Sequence, residues 1–359
     1  MPRWKSGRSR GFVPRTLMPM SFAIWMGLAA VVFAGILQGL FAVPMKYATR
    51  WNYEHIWLTY GFAGMIVLPW LLTTATVPHL AEVYSLTSTS VLLRIAGFGL
   101  CWGIRSVLAG LGMNLLGIGL GMAIILGLSA SLGSLIPLLI LTPQQLYTRQ
   151  GRVYLVGTGI MLAGIGICAR AGMLRDAAHK GGLSVSPKPF FVGFVVCCLS
   201  GLFSSALNFS YAFGGAAVDR ARSLGASPLW SSGVVTVLAV SGGFIANLCY
   251  CGYLLRKKQT FGRFTGDGAG TGWICGAVMG LFWFGGQSLY AVGITRMGAL
   301  GVVIGWPLLM GMIIVTSNAA GALTGEWTDV SGTTKRFLAL GMLIILVALG
   351  ILATAQQTA

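Results

Sequence analysis

Acidic residues are scarce in this chain. Seven Asp and Glu stand among 359 residues, against 24 Lys and Arg. Charged residues of both signs make up only 9% of the sequence, whereas soluble domains carry roughly 25%. Hydrophobic residues make up 56%. A chain with this balance cannot hide its apolar side chains in a water-soluble core. The composition therefore excludes a soluble globular protein and indicates that lipid surrounds most of the sequence.

The sequence motifs of common catalytic and metal sites are also missing. There is no GxxxxGK[ST], HExxH or GxSxG pattern, and the three histidines fall in three different connections between apolar segments. The seven cysteines lie mainly inside apolar segments and show no CxxC spacing. We therefore expect neither an enzyme nor a cofactor, and no disulfide framework.

Long apolar segments recur along the whole chain. A membrane helix needs about 20 mostly apolar residues, whereas barrel strands are alternating segments of about 10. Breaking the sequence at polar, proline-containing or charged joints predicts an all-α polytopic membrane protein. Its ten helices are expected at about 21–44, 56–76, 90–113, 117–141, 153–171, 190–213, 228–254, 273–294, 299–322 and 337–356.

The longest central joint, residues 173–189, divides these helices into five and five. The first helix of each half carries a glycine followed by a polar patch, GILQGLF at 35–41 and GLFSSALNFS at 201–210. We predict two inverted five-helix repeats, 20–172 and 190–359, because an odd number of helices per half reverses the second half. Residues 1–19 form a basic tail, and Met18 or Met20 could be the native start.

The net charge of +17 does not indicate nucleic-acid binding, because the cations lie almost wholly in the joints between the apolar segments. Their distribution indicates instead which joints lie on the cytoplasmic side of the membrane. Joints after odd-numbered helices hold twelve Lys and Arg, joints after even-numbered helices hold five, and the tail adds five. Basic joints stay in the cytoplasm. We therefore predict a multi-pass protein with both termini outside the cytoplasm. If the tail is native, the count becomes twelve to ten and the orientation stays open.

Polar side chains inside the spans are the candidate substrate site. Neutral amides and hydroxyls suit the hydroxyl groups of a sugar, and aromatic faces suit its C–H surfaces, although each group could instead bond two helices together. Arg105 is an exception, because its charge costs at least about 2.5 kcal/mol in a span and requires a cavity or a partner. The predicted substrate-binding residues are Gln38, Arg105, Asn208, Tyr211, Gln287, Tyr290, Trp306 and Asn318.

Several ordered segments make the chain similar to a known family. They are FAVPMKY at 41–47, RWNYEHIW at 50–57, LPW at 68–70, GLFSSALNFSYA at 201–212, LGASPLW at 224–230, GGFIANL at 242–248 and GEW at 325–327. On these segments, residues 20–356 resemble the L-rhamnose/proton symporters of the drug/metabolite transporter superfamily. The resemblance implies a ten-helix permease of the bacterial inner membrane, with both termini in the periplasm, that takes up a deoxysugar with a proton by alternating access. The basic tail, a first joint with the single Lys46, and Arg105 depart from that pattern.

Proton coupling needs a titrating group, yet no acid lies in the middle of a predicted span. Glu54 and Glu326, each near a tryptophan at a helix end, are the predicted proton-coupling residues. Glu54 could instead pair with Arg50. The expected partners are a small sugar, a proton and the lipid bilayer, without nucleic acid, and the chain could act as a monomer or a homodimer.

Two other functions stay open at this point. The same scaffold could export or exchange another small metabolite, since a fold does not fix its substrate. A membrane receptor or scaffold protein would lack a cavity lined by polar residues.

Overall fold

Ten helices in the computed structural model, which describes residues 22–116, 118–180, 187–298 and 301–354, are long and apolar enough to cross a membrane. They are α1 (Phe22–Leu40), α2 (Tyr53–Thr76), α3 (Thr89–Leu116), α4 (Ile118–Leu141), α5 (Arg149–Lys180), α6 (Pro187–Phe213), α7 (Gly233–Lys258), α8 (Ala269–Arg296), α9 (Gly301–Leu323) and α10 (Gly332–Thr354). This confirms the predicted all-α membrane fold. Residues 1–19 and 181–186 lie outside the described part.

The two helices on either side of the central joint extend further into it than the hydropathy pattern predicted. α5 runs to Lys180 and α6 begins at Pro187, so the predicted central loop of 173–189 is helical at both ends. Hydropathy marks where a helix leaves the hydrocarbon, not where its hydrogen bonds end. The extension of α5 carries Arg175 beyond the apolar part of the span.

The joints contain short helices. These are Val43–Tyr47, Leu80–Leu86, Pro143–Tyr147, Gly215–Ser223 and Phe261–Phe264. Within α2, residues Phe62–Val67 widen into a π-helical turn just before Pro69. Proline lacks the N–H for an i→i−4 bond, and its ring displaces the carbonyl of Met65, so the helix widens at this point.

Successive spans run in opposite directions, which places all joints after odd-numbered helices on one side of the protein. We call this the basic side, and the other the opposite side. Helices in equivalent positions of the two halves have equivalent partners in the other half. The first helix of the first half, α1, packs on α8 and α9, and the first helix of the second half, α6, packs on α3 and α4. Likewise α2 packs on α8 and α7 packs on α3. An inverted repeat would produce this pattern, and the inversion itself stays a prediction.

Glycines allow the backbones of α3 and α7 to touch. A Cβ atom at Gly99 would overlap the carbonyl group of Ala239, and one at Gly103 would overlap the carbonyl oxygen of Gly243. Lipid tails are as apolar as leucine, so close contact of this kind is a main source of helix association in a membrane. The contact fixes α3 against the second half of the protein.

We expect Gly99→Ala to destabilise the folded protein by about 1–3 kcal/mol, because the new methyl group must displace backbone atoms of α7. Gly97→Ala is the matched control, since a Cβ at that position on the same helix would meet nothing within 4 Å. Thermal unfolding in detergent measures both. Equal melting temperatures for the two variants would contradict the expected contact.

Candidate functional site

Six of the eight predicted substrate-binding residues meet in one buried network. Nε2 of Gln38 donates to Oε1 of Gln287 at 3.0 Å, which joins α1 to α8. Nε2 of Gln287 donates to the hydroxyl of Tyr211 on α6, also at 3.0 Å. That hydroxyl lies 2.9 Å from Oγ1 of Thr236 on α7. A single chain of neutral donors and acceptors therefore connects four helices from both halves.

The second part of the network involves α6, α8 and α9. The hydroxyl of Tyr290 donates to Oδ1 of Asn208. Tyr290 meets the ring of Tyr211 on one side and that of Trp306 on the other, each nearly edge-on with 5.7 Å between ring centroids. The indole nitrogen of Trp306 donates to the backbone oxygen of Ser129 on α4, at 2.9 Å. We call these six side chains the polar core: Gln38, Asn208, Tyr211, Gln287, Tyr290 and Trp306.

Small residues make this arrangement possible. A Cβ at Gly286 would stand 2.7 Å from Cγ of Gln38, so only glycine lets α1 approach α8 at this level. A Cβ at Gly133 would overlap the indole ring of Trp306, and the Gly133 carbonyl accepts a bond of 2.6 Å from Nδ2 of Asn208. The local sequence thus provides both the polar groups and the space that they need.

The polar core is closed in this conformation. All six side chains are buried, and their donors are satisfied by one another or by neighbouring backbone. Buried polar groups without partners are costly in a membrane, so this pairing stabilises the closed state. A ligand could enter only by replacing some of these hydrogen bonds with its own.

A cavity of about 280 Å³ opens at the basic side, between α1, α4, α5 and α9. Its charged residues are Lys46, Arg175 and Glu326. Nζ of Lys46 lies 2.6 Å from Oε1 of Glu326, and Nη1 of Arg175 lies 3.4 Å from Oε2. The guanidinium of Arg175 also lies 4.9 Å from the ring centroid of Trp327. One carboxylate therefore holds two cations that come from different joints.

The cavity ends close to the polar core. Gly39 lines it, and Gln38 is the preceding residue of α1. Leu126 on α4 also lines it, and Ser129 follows three residues later, about 4.5 Å along the helix axis. The polar core is thus about one helical turn below the floor of the cavity.

A much smaller cavity, about 20 Å³, lies towards the opposite side between α2, α7 and α8. Its lining includes hydroxyl groups of Thr73, Thr76, Ser232 and Thr236. Thr236 also belongs to the hydrogen-bonded chain of Tyr211, so this cavity touches the polar core. The core therefore separates a large cavity on the basic side from a narrow one on the opposite side.

Two predicted substrate-binding residues lie outside the polar core. Asn318 lines the larger cavity, where its Nδ2 donates to the backbone oxygen of Ile314 at 2.9 Å. Arg105 lies on α3 beside Trp102, with 5.3 Å from its guanidinium carbon to the ring centroid. Its side chain shares no hydrogen bond with the polar core among the described residues.

The two predicted proton-coupling residues have different surroundings. Glu326 is partly exposed in the larger cavity, with 43% of its side chain accessible. Glu54 is fully buried at the start of α2, and its Oε2 lies 2.9 Å from Nζ of Lys258. The partner of Glu54 is therefore Lys258, at the end of α7, and not Arg50, the alternative that the sequence suggested. The helix dipole also favours an acid in the first turn of α2.

Sequence reasoning missed the partners of these residues. Lys46, Arg175 and Lys258 counted only as joint cations, and Thr236 carried no signal of its own. The sequence did place these three cations in joints after odd-numbered helices, on the same side of the membrane as Glu54 and Glu326. Residue type alone could not match each cation to its acid.

Comparison with known proteins supports the resemblance found in the sequence. A family model described as L-rhamnose-proton symport protein (RhaT) matches residues 20–357. An "L-rhamnose-proton symporter" of Shigella boydii serotype 18 is 30% identical over 339 residues, covering 92% of this chain and 98% of the relative. One of Escherichia coli strain 55989 is 29% identical over the same length.

One solved crystal structure shares the fold. It aligns with a TM-score of 0.51 over 92% of this chain and 94% of that chain, at 15% sequence identity. This likeness concerns the architecture alone. The family model covers nearly the whole described chain, and the chain belongs to the L-rhamnose-proton symport protein family.

Proposed function

We propose that this protein carries L-rhamnose or a related deoxysugar, together with a proton, into the cell across the bacterial inner membrane. The observation that supports this best is the position of the polar core between two cavities of unequal size. The named relatives are L-rhamnose-proton symporters, and family membership makes transport the expected activity.

The chemistry of the polar core suits a neutral sugar. Gln38, Gln287 and Asn208 each offer both a donor and an acceptor, so they can exchange bonds with each other for bonds with sugar hydroxyls. Such an exchange costs little, because the number of satisfied groups stays the same. The rings of Tyr290 and Trp306 would cover the C–H surfaces of the sugar, and Asn318 would meet it in the larger cavity.

The cavities support alternating access. About 280 Å³ on the basic side holds a monosaccharide, whereas about 20 Å³ on the opposite side is close to the roughly 10–15 Å³ that a single water molecule needs. If the basic joints lie in the cytoplasm, this conformation is open inwards and closed outwards. The equivalent packing of the two halves supports an inverted repeat. In such a repeat, the two halves exchange conformations to give the outward-open state.

Glu326 is the stronger candidate for the proton. Of the acids in the described part of the chain, Glu326 alone lines either cavity. Protonation would remove the charge of Glu326 and weaken its contacts with Lys46 and Arg175. The joint between α1 and α2 would then be held less firmly to the joint after α9. An ion pair that is 40–43% exposed contributes at most about 1 kcal/mol, so it can break in every cycle.

Glu54 is the second candidate. Its carboxylate is buried and has one cation as partner, which joins the start of α2 to the end of α7. Breaking this pair would leave a buried charge, which costs more than breaking an exposed pair. We therefore assign Glu54 chiefly to holding these two helices together.

We expect Gln287→Leu to reduce L-rhamnose uptake at least about tenfold per folded molecule, since it takes away the acceptor of Gln38 Nε2 and one of the two partners of the Tyr211 hydroxyl. Asn247→Leu is the matched control, because it removes a buried amide that contacts Ser106 and Met65 outside the polar core. Uptake of labelled L-rhamnose into cells, normalised to folded protein in the membrane, measures both. An equal loss in both variants would show that the polar core has only a packing role.

We expect Glu326→Gln to abolish proton-driven accumulation of L-rhamnose and to retain counterflow, in which labelled sugar exchanges without net proton movement. Proteoliposomes with an imposed pH gradient measure the first, and preloaded proteoliposomes measure the second. Glu82→Gln is the control, because Glu82 lies in the exposed short helix Leu80–Leu86 on the opposite side.

Two outcomes would contradict the assignment of the proton. Normal proton-driven accumulation of L-rhamnose by Glu326→Gln would exclude Glu326 as the proton carrier. Loss of accumulation in Glu54→Gln, with normal accumulation in Glu326→Gln, would transfer the role to Glu54.

The proposed orientation has its own test. Alkaline phosphatase fused after Ala359 should be active, since it folds in the periplasm, whereas green fluorescent protein at that point should be dark. Fusions after Gly266, in the joint between α7 and α8, should give the reverse. A fluorescent fusion after Ala359 would invert the topology and would make the larger cavity face outwards.

A further inference from the structure

Arg105 lies at the edge of the interior face of α3 and is partly exposed. The lipid face of α3 is marked by Leu100, Ile104 and Leu111, which are 37%, 37% and 50% exposed. At about 100° per residue, Trp102 lies opposite that face and Arg105 lies about a third of a turn away from it. The guanidinium lies beside the ring of Trp102, which faces the interior.

Arg105 has no acidic partner in the described part of the chain, and its one contact there is the ring of Trp102. None of the seven acidic residues forms an ion pair with it, and its Nε is buried without an acceptor among the described residues. An unpaired charge in a membrane span is costly and by default indicates a binding site.

A chain of aromatic side chains begins at Trp102, the ring that Arg105 contacts. The rings of Trp102 and Trp283 stack with 5.3 Å between centroids, and Trp283 meets Tyr60 edge-on at 6.2 Å. Tyr60 in turn contacts Trp57 at 4.9 Å and Phe41 at 5.5 Å. We call these five rings, from α1's end, α2, α3 and α8, the aromatic wall. Its Trp57 carries a second buried donor, Nε1, without an acceptor.

The aromatic wall adjoins the proposed sugar path. Trp283 lies four residues before Gln287 on α8, which puts both on one face of that helix, one turn apart. Phe41 lies two residues after Gly39, which lines the larger cavity. A sugar bound at the polar core could therefore extend a substituent towards Arg105.

We propose that Arg105 and the aromatic wall bind a monosaccharide that carries a carboxylate, so that the transporter accepts a sugar acid as well as a neutral deoxysugar. A guanidinium matches a carboxylate with two parallel hydrogen bonds. Its single charge balances one carboxylate, whereas a phosphate monoester brings nearly two negative charges. In a hexuronate the carboxylate occupies the position of the methyl group in a 6-deoxysugar. This proposal rests on the proposed sugar transport.

The test compares two sugars that differ only at C6, the carbon that is the carboxylate in a hexuronate. D-Galacturonate, which is ionised at neutral pH, and D-galactose are titrated separately into the purified full-length protein, and calorimetry gives both affinities. We expect D-galacturonate to bind at least about tenfold more tightly, because a hydrogen bond to a charged group is worth that much. In Arg105→Gln this preference should disappear, so that both sugars bind alike.

Arg94→Gln is the matched control, since Arg94 lies exposed near the start of the same helix. It should keep the preference for the acid. Equal affinities in the unaltered protein would overturn the proposal, and so would a preference that survives Arg105→Gln. Should Arg105→Gln fail to fold, the comparison in the unaltered protein still decides.

A separate measurement keeps the two proposals distinct. Uptake of labelled L-rhamnose into proteoliposomes tests the proposed function without reference to the acid. If L-rhamnose is not taken up but D-galacturonate still binds more tightly than D-galactose, L-rhamnose transport is contradicted and the role of Arg105 stands. Normal uptake without that preference would contradict the role of Arg105 alone.

Discussion

The absence of water from the hydrocarbon core is the constraint on which this structure depends. Every backbone group there must bond within its own helix, and every polar side chain must find a partner in the protein. The ten apolar helices satisfy the first requirement. The polar core satisfies the second with neutral groups that bond to one another. The same mutual bonding that closes the core also supplies the groups that a sugar would need.

The ten helices could be predicted because span length and hydropathy are local properties of the sequence. The grouping of Gln38 with Gln287 was also within reach, since an amide inside a span needs a partner. The partner of Glu54 was not, because Lys258 is 204 residues away and reaches it only through the packing of α7 on α2. The separation of Arg105 from the polar core has the same cause, since the composition of α3 does not say which neighbour each face meets.

The few acids of the chain are used in two ways. Glu54 is buried and holds one lysine, whereas Glu326 is accessible and holds a lysine and an arginine. Burial makes the first pair costly to break, and exposure makes the second weak. Glu326 is also the one acid among the described residues that lines the larger cavity, where it faces two cations, Lys46 and Arg175.

The contact between α3 and α7 has a mechanical consequence. Where Gly99 and Gly103 meet Ala239 and Gly243, backbone lies on backbone, with the Cβ of Ala246 and the flat ring of Trp102 beside the contact. A comparable backbone contact joins α1 to α8, where Gly27 meets Gly293 beside Val31 and Met297. Interlocked side chains must change rotamer before two helices can slide, but smooth surfaces can move by a small shear. These two glycine contacts between the halves are thus also surfaces along which one half could slide past the other.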